Sequence, residues 1–306
     1  MSLHTQIDAV LHQLNQLIVG KSPQILDCVT CLLAGGHLLI EDVPGVGKTT
    51  LAHGLAHTFG LQFARVQFTA DLMPSDLTGV SVYDRGQEGF VFHPGPVFSQ
   101  ILLADEINRA SPKSQSALLE AMEEQQVSAE GVTRALPQPF FVIATQNPRE
   151  QLGTYPLPES QLDRFLMRVS LGYPDRAAER QLLASNGHRQ QVPHLAAQMN
   201  ADDVLRAQQA VLAVHAAPAL LDYVLDLIEA SRSGQWFVQG LSPRAAIALV
   251  RVAKARALIL GRDHIAPEDV QDTIVQTIAH RLVPLAQSGR SASEQVRSMV
   301  QAVPLR

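Results

Sequence analysis

Residues 42–49 read Asp42-Val43-Pro44-Gly45-Val46-Gly47-Lys48-Thr49, and this stretch decides the fold. It follows an apolar run at 37–41, which is typical of a buried strand, and it precedes a helical pattern at 50–56. A strand, a glycine-bearing loop and a helix that opens on Gly-Lys-Thr are the context of a phosphate-binding loop. The glycines let backbone N–H groups face phosphate oxygens, and the helix N-terminus adds the positive end of its dipole. We therefore expect a nucleotide phosphate site here.

Two side chains of this loop have predicted roles. We expect Lys48 to contact the β- and γ-phosphates and the Thr49 hydroxyl to ligate Mg²⁺. Asp42 stands where the general pattern G-x-x-x-x-G-K-[ST] has its first glycine. Because the Pro44-Gly45 turn and the Gly-Lys-Thr triplet are kept, we favour a phosphate site over an ordinary strand-to-helix turn.

Four further apolar runs predict more strands of the same sheet. They lie at 62–68, 100–104, 140–145 and 165–169. Such runs, separated by helical patterns, are typical of parallel strands covered on both faces. A helix is predicted at 114–122, with Ser111 as its cap and Pro112 at its first position. Residues 79–92 and 126–136 alternate around polar, glycine-containing centres and predict two hairpins, which serve either as interaction elements or as decoration.

The strand signal ends at residues 173–174, and helical patterns follow. Helices are predicted at 176–184, 201–213, 219–231, 243–260 and 267–282, with loops at 187–193 and 234–240. We therefore predict an α/β core over residues 1–174 and an all-helical domain over residues 175–306.

The composition limits the classes of function. The net charge of −5 gives no overall attraction for nucleic acid or for an anionic membrane. No stretch has the apolar length of a membrane span and the N-terminus lacks a signal pattern, so we expect no membrane insertion and a cytoplasmic location. A basic cluster within 251–262 favours a solvated helix face or a subunit contact over a nucleic-acid contact.

The two cysteines, Cys28 and Cys31, form a C-x-x-C inside a helical pattern at 25–34. A redox pair normally follows a strand at a helix N-terminus, and a zinc site needs more ligands. The pattern therefore predicts packing within a helix and no cysteine chemistry.

Three polar residues at predicted strand ends suit phosphate hydrolysis. Asp105 and Glu106 follow the run at 100–104, where one carboxylate can hold Mg²⁺ and the next can orient and deprotonate a water. Asn147 follows the run at 140–145 and could help to place that water, although Asn-Pro is also an ordinary strand-ending turn. The chain has no Asn-Lys-x-Asp pattern, so ATP is favoured over GTP.

Together these motifs resemble those of the MoxR family of AAA+ ATPases. The residues that carry the resemblance are 42–49, 105–109, 144–148, 162–165 and 242–244. The resemblance covers nearly the whole chain, and an aspartate at the position of Asp42 is usual in that family. It implies an α/β fold, with a P-loop AAA+ core whose parallel sheet is flanked by helices and a C-terminal helical lid domain.

The resemblance also implies roles for individual residues. Asn147 would be the sensor 1 residue, Arg164 an arginine finger acting on the neighbouring subunit, and Arg244 a sensor 2 residue acting on its own subunit. Each arginine also has an ordinary interpretation, such as a surface ion pair. The metal ligands would be Thr49 and Asp105. The implied nucleotide-binding residues are Val19, Gly20, Pro44, Gly45, Val46, Gly47, Lys48, Thr49 and Thr50.

The implied activity is Mg²⁺-dependent ATP hydrolysis by a homo-oligomeric ring, and the expected ring is a hexamer. Its implied role is chaperone-like: it would mature or activate client proteins, often metalloenzymes, with a von Willebrand factor A-domain partner. Three alternatives remain: a nucleic-acid remodeller of a related clade, an Mg-chelatase-like ATPase subunit, and a scaffold that binds ATP and barely hydrolyses it. The acidic net charge disfavours the first.

Overall fold

The computed structural model describes residues 2–86, 88–147, 153–184 and 195–305. Its strands are β1 Leu38–Glu41, β2 Phe63–Gln67, β3 Gly79–Asp84, β4 Gly89–Pro94, β5 Ile101–Asp105, β6 Gln126–Ala129, β7 Val132–Ala135, β8 Phe141–Gln146 and β9 Met167–Val169. Five of them form a parallel sheet in the order β2-β5-β8-β1-β9. The predicted parallel sheet is thus confirmed.

The helices lie before, between and after these strands. They are α1 Leu3–Leu17, α2 Ser22–Leu33, α3 Lys48–Thr58, α4 Pro74–Thr78, α5 Pro112–Glu124, α6 Glu159–Leu162, α7 Arg176–Ala184, α8 Ala201–Ala213, α9 Pro218–Arg232, α10 Pro243–Ile259, α11 Pro267–Ile278 and α12 Ala292–Ala302. Among the described residues, no helix combines the length and the apolar character needed to cross a membrane.

The strands of the sheet are apolar on both faces because helices cover both. Leu38 and Ile143 belong to one core, with α1, α2 and α3, whereas Leu39 and Val142 belong to another, with α5. Successive side chains of a strand point to opposite faces, so burial on both sides requires a nearly continuous apolar run. This explains why the sequence shows runs rather than alternation.

The sheet has two edges that matter for function. We call the edge where the parallel strands end the carboxyl-end edge and the edge where they begin the amino-end edge. Residues that follow β1, β5 and β8 meet at the carboxyl-end edge, which is where ligands bind in open parallel sheets. The helix α5 returns from this edge to the other, since it follows β5 and its Met122 carbonyl lies 3.2 Å from Nε2 of His37, just before β1.

The C-terminal helices make two separate sets of contacts. One face of α10, with Val252, packs with α8 into the core that covers the first face of the sheet. The other face, with Leu249, packs with α9, α11 and α12 into a core of its own. The division after residue 174 stays a prediction, and α10 belongs to both cores.

Both predicted hairpins are present. The strands β3 and β4 pair antiparallel, as do β6 and β7. The two hairpins also touch, because the Arg134 guanidinium lies 3.7 Å from the centre of the Phe92 ring and the Ser81 N–H donates to the Glu130 carboxylate at 3.3 Å. On the first hairpin Tyr83 and Phe90 are exposed, Phe90 by 76%.

The sequence prediction missed four helices, α1, α4, α6 and α12. For α1 the signal was available, since Ser2 caps the helix and Ile7, Val10, Leu14 and Leu17 are buried at helical spacing. For α12 it lay in the Ser291–Glu294 capping box. The predicted loop at 187–193 lies outside the described residues.

Candidate active site

The phosphate loop lies between β1 and α3 at the carboxyl-end edge. Gly45 and Gly47 have φ angles of 86° and 95°, in the left-handed region that favours glycine. A Cβ atom on either would meet no other atom within 4 Å, so the space beside the loop is open. Gly47 is also the residue from which α3 begins. The open cradle at a helix N-terminus fits a phosphate group.

The predicted nucleotide-binding residues of the loop, from Pro44 to Thr50, form one continuous segment. Pro44 and Gly45 are exposed, and Thr49 and Thr50 are half-buried in the first turn of α3. The Lys48 ammonium folds back over the loop and donates to the Asp42 carbonyl oxygen at 2.9 Å. Its charge therefore lies beside the open cradle.

Asp42 ties the loop to the segment after β9. Its Oδ2 accepts from the Gly172 N–H at 2.6 Å and from the Ser170 hydroxyl at 3.1 Å, and its Oδ1 accepts from the Val43 N–H at 2.9 Å. The side chain is buried. Hydrogen bonds to a charged acceptor are among the stronger ones in proteins, so this aspartate fixes the loop where a glycine could not.

The same segment brings Val19 and Gly20 into the site region. The Lys21 ammonium donates to the Tyr173 carbonyl oxygen at 2.7 Å. Gly20 has a φ of 74°, and a Cβ on it would lie 2.8 Å from Cβ of Ala178. Residues 170–178 thus connect the phosphate loop to the predicted adenine contacts, whose role stays a prediction.

Asp105 is the last residue of β5, and both of its carboxylate oxygens accept hydrogen bonds. Oδ1 accepts from the Thr145 hydroxyl at 2.6 Å, and Oδ2 accepts from the Arg65 guanidinium at 2.7 Å. Thr145 is fully buried, whereas the Arg65 side chain is 42% exposed. A cation that binds Oδ2 would therefore replace a half-exposed partner and leave the buried one in place.

Glu106 adopts a left-handed conformation, with φ of 57°. Its N–H donates to the Thr145 hydroxyl at 2.9 Å. Its Oε2 accepts from the Gln67 amide at 2.8 Å and lies 3.0 Å from Nε of Arg109. A non-glycine residue in this region is strained, and strain of this kind concentrates at functional sites.

Asn147 lies at the carboxyl-end edge between the carboxylates after β5 and the phosphate loop after β1. It follows β8, which is flanked by β5 on one side and by β1 on the other. The Asp42 N–H donates to the Gln146 carbonyl oxygen at 3.1 Å, so Asn147 is level with the start of the phosphate loop. The side chain is buried. Pro148, the last residue of its motif, lies outside the described residues.

Arg164 and Arg244 meet at the other edge of the sheet and share one carboxylate. Nη2 of Arg164 lies 3.0 Å from Oε2 of Glu123, and Nη1 of Arg244 lies 3.2 Å from Oε1. Glu123 belongs to the last turn of α5, beside Met122, which contacts His37. These arginines therefore lie at the amino-end edge.

The placement of Arg244 does not favour one expectation. The family resemblance implies that Arg244 acts on a phosphate bound by its own subunit, but β1 alone separates the two edges by about 13 Å along the sheet (four residues at ~3.3 Å each). Within one chain, Arg244 lies with Arg164 and away from Lys48. The catalytic role of each arginine stays a prediction.

Comparisons with known proteins agree with this geometry. A family model described as the ATPase family associated with various cellular activities (AAA) matches residues 37–167, and a model of the AAA lid domain matches residues 229–299. The chain is 43% identical to YeaC of Bacillus subtilis over 98% of this chain and 95% of that protein. It is 41% identical to Chaperone MoxR1 of Mycobacterium tuberculosis over 92% of this chain and 76% of that protein.

The chain belongs to the MoxR family of AAA+ ATPases. A solved structure from Cytophaga hutchinsonii, described as that of an ATPase, superposes with a TM-score of 0.90 at 36% identity. The superposition covers 99% of this chain and 96% of the Cytophaga hutchinsonii chain. The AAA+ core and the C-terminal helical lid that the sequence predicts are therefore confirmed.

Four residues of this MoxR-family site were missed by the sequence prediction. Arg65 and Gln67 belong to β2, in register with Leu103 and Asp105. Two polar side chains spaced by two residues at the end of a strand were a usable signal. Thr145 stood in a motif that had been singled out for Asn147. Glu123 gave no local signal, because only the tertiary fold brings it to Arg164.

The basic cluster within 251–262 departs from the expected solvated face, whereas the subunit contact stays a prediction. All four side chains bond within the chain, so they do not form a simple solvated face. Arg251 donates to Gly35 O, Lys254 donates to Leu212 O, Arg256 lies 3.6 Å from Asp27, and Arg262 pairs with Asp269. The predicted packing of Cys28 and Cys31 within a helix is confirmed, since both are buried in the core around α2.

Proposed function

We propose that this chain hydrolyses ATP to ADP and phosphate in a hexameric ring, at sites that two neighbouring subunits complete together. One observation carries the proposal: the phosphate loop and the two candidate arginines lie at opposite edges of one sheet. A single chain cannot bring both to one phosphate, whereas the carboxyl-end edge of one subunit can meet the amino-end edge of the next.

The carboxyl-end edge would bind and position the substrate. The loop N–H groups and the N-terminus of α3 would hold the β- and γ-phosphates, and Lys48 would exchange its bond to the Asp42 carbonyl for a phosphate oxygen. Val19 and Gly20 would lie beside the adenine.

The donor set also fits Mg²⁺. This ion prefers one or two protein oxygens with phosphate oxygens and water as its other ligands, which suits Thr49 and Asp105. When bound, Mg²⁺ would neutralise charge that develops on the phosphates.

Glu106 would orient a water and accept its proton as the water attacks the γ-phosphate. In the structure its carboxylate is held by Gln67 and Arg109. Those bonds must loosen before it can serve as the base. Asn147, at the adjacent strand end, would hold the same water in line.

The amino-end edge would supply charge to the neighbouring subunit. Guanidinium groups are permanently charged and planar, so Arg164 and Arg244 can both stabilise charge spread over the transferring phosphoryl group. An arginine of this kind contributes about 10³–10⁵ in rate in related phosphoryl-transfer systems.

Mixing inactive variants tests the proposal. Lys48→Ala removes phosphate binding, Arg164→Ala removes the contact to the neighbour, and each alone should release almost no phosphate. An equimolar mixture should recover a measurable part of the wild-type rate, because some interfaces then pair an intact loop with an intact arginine.

Arg244 is tested in the same way. A mixture of Lys48→Ala with Arg244→Ala recovers activity only if Arg244 acts on the neighbouring subunit, since a site with its own Arg244 missing stays defective otherwise. The double variant Lys48→Ala/Arg164→Ala, mixed with itself, is the inactive control. Absence of recovery in both mixtures would reject the shared site.

We further propose that ATP turnover drives a chaperone-like action on client proteins, metalloenzymes among them, with a von Willebrand factor A-domain partner in the cytoplasm. The similarity to Chaperone MoxR1 supports this role. The exposed Val82, Tyr83 and Phe90 of the β3–β4 hairpin support an apolar contact there.

The hairpin variant Tyr83→Ser/Phe90→Ser should leave basal ATP hydrolysis within about twofold and abolish protection of a heat-denatured test protein from aggregation, measured by light scattering. Leu225→Ser, at another exposed apolar side chain, is the matched control. Binding of a purified von Willebrand factor A domain, measured by calorimetry, tests the partner. Unchanged protection by the hairpin variant would remove the hairpin from the client contact.

A further inference from the structure

We propose that Glu123 is a positioning residue that holds Arg164 and Arg244 together and competes with the neighbouring subunit's phosphate for them. The proposal rests on the shared ATP site proposed above and adds how that site is regulated. Glu123 would act through the two arginines and would touch neither substrate nor product.

The geometry makes Glu123 the link between three segments. It belongs to α5, Arg164 lies just before β9, and Arg244 lies in the first turn of α10. Its two oxygens are divided between the two guanidinium groups, at 3.0 Å and 3.2 Å. Without this carboxylate, two like charges would lie side by side, with Oδ2 of Asp163 at 3.8 Å from Nε of Arg244.

The surrounding cavity carries an excess of positive charge. Its volume is about 240 Å³, and it opens at the amino-end edge beside Gly36 and His37. Four guanidinium groups line it against two carboxylates; the six residues are Arg164, Arg244, Arg251, Arg281, Glu123 and Asp163. A further anion is therefore favoured here, and a terminal phosphate that carries more than one charge fits.

A volume of 240 Å³ at the surface admits a phosphate group that approaches from a neighbouring subunit.

The ion pairs are weak enough to be exchanged. The side chain of Glu123 is 36% exposed and that of Arg244 is 51% exposed, and pairs of this kind add little to stability. A phosphate offers more charge than a carboxylate and can accept from both guanidinium groups at once. Glu123 therefore keeps the arginines in place and yields them when the neighbour presents its nucleotide.

The last turn of α5 also leads directly into the second hairpin. Gln125 follows in a left-handed conformation, and its carbonyl oxygen accepts from the Leu136 N–H at 3.0 Å, which closes the base of the β6–β7 hairpin. Release of Glu123 from the arginines would thus shift the base of the β6–β7 hairpin. This hairpin contacts the β3–β4 hairpin through Arg134.

The test measures phosphate release per subunit across a wide range of protein concentration. Glu123→Gln keeps the shape of the side chain and removes the competing charge, so the protein concentration at half-maximal rate should fall by about three- to tenfold. The plateau rate should stay within about twofold of wild type. Glu124→Gln, which removes the same charge one residue away, is the matched control and should change neither value.

Two further readouts keep the test decisive. If the ring is already formed at every concentration, the same competition lowers the half-saturating ATP concentration by the same factor. Glu123→Asp, which restores the charge, should move either value back towards wild type.

The proposal is overturned if Glu123→Gln leaves both values equal to those of Glu124→Gln. It is also overturned if the plateau rate falls while the half-maximal concentration rises, since Glu123 would then only organise the fold. Failure of the shared site itself is a separate result, because the mixture of Lys48→Ala with Arg164→Ala would then stay inactive.

Discussion

The two edges of the parallel sheet balance their charges in opposite ways. At the carboxyl-end edge a cation of the chain, Arg65, pairs with Asp105, the carboxylate proposed to bind Mg²⁺. At the amino-end edge an anion of the chain, Glu123, pairs with Arg164 and Arg244, the cations proposed to bind phosphate. In each case the partner is partly exposed, so a ligand exchanges one ion pair for another and does not bury an unpaired charge.

The comparison also shows where firm bonds are placed. Asp105 keeps a buried bond to Thr145, and Asp42 keeps three hydrogen bonds that hold the phosphate loop. At the amino-end edge the carboxylate that holds Arg164 and Arg244, that of Glu123, is 36% exposed. We infer that the substrate is positioned by the first edge, while the second edge can change partners.

The largest effect is expected at the carboxyl-end edge, from Glu106→Gln. It removes the proposed base and keeps the size of the side chain, so phosphate release should fall by about 10²- to 10⁴-fold. ATP affinity, measured with a fluorescent nucleotide, should change by less than about threefold. Unchanged turnover would assign the base to another group.

Asp42→Gly restores the general loop pattern and should nevertheless weaken ATP binding by about tenfold or more. The reason is the loss of the hydrogen bonds to Gly172 and Ser170, each of which has a charged acceptor. A nucleotide titration and a thermal melt measure the effect. Asp42→Asn, which keeps an acceptor oxygen, should lose less, and equal losses in both variants would argue against the tether.

At the amino-end edge His37 should make stability depend on pH. Burial lowers its pKa to about 4, and the ring is neutral, since Nδ1 accepts from the Val142 N–H at 3.1 Å while Nε2 faces the Met122 carbonyl oxygen. A histidine with a lowered pKa stabilises the fold above its unfolded pKa of about 6.5, and this contribution is lost as the pH falls towards 4.

Between pH 7 and pH 5 the contribution of His37 should lower the free energy of unfolding by about 2 kcal/mol. Denaturant titrations at the two pH values measure it. His37→Gln should remove the pH dependence that His37 causes and leave the part that His280 causes. Burial lowers the pKa of His280 to about 3. An equal pH dependence in the variant and the wild type would contradict the assignment to His37.

The smallest effect is expected from Arg65→Gln, which removes the partner of Asp105 at the carboxyl-end edge. The Mg²⁺ concentration that supports half-maximal ATP hydrolysis should fall by about two- to threefold, because an exposed ion pair is worth little. Arg206→Gln, at a distant exposed pair, is the control. A rise in the required concentration would mean that Arg65 positions Asp105 and does not compete for it.

The carboxyl-end edge could be predicted from the sequence because its signals are local. The loop at 42–49, the carboxylates after β5 and the amide after β8 each follow an apolar run, and parallel strands bring their ends to one edge. The Gly-Lys-Thr start of α3 marks this edge without any knowledge of tertiary contacts.

The amino-end edge could be predicted only in part. Arg164 and Arg244 came from the family resemblance, and the own-subunit role expected of Arg244 stays a prediction that its place beside Arg164 does not favour. Glu123 is separated from Arg244 by 121 residues, so no local pattern joins them. Likewise, Asp42 departs from the general phosphate-loop pattern in the sequence. Its role in holding the loop becomes visible only in the fold, where the Gly172 N–H donates to its carboxylate.

The helix α10 has a consequence for how the lid can move. Its Ala248 and Ala255 pack into the core that covers the sheet, and its Ala245, Ala253 and Ala257 pack into the core of the C-terminal helices. If the lid rotated about a flexible linker, one of these two faces of α10 would lose its packing contacts. Small side chains on both faces instead permit shear, in which packed helices slide by small steps without losing contact. The nucleotide state of a neighbour would then reach the lid as a sliding of α10, and amide hydrogen exchange along this helix should stay slow throughout the cycle.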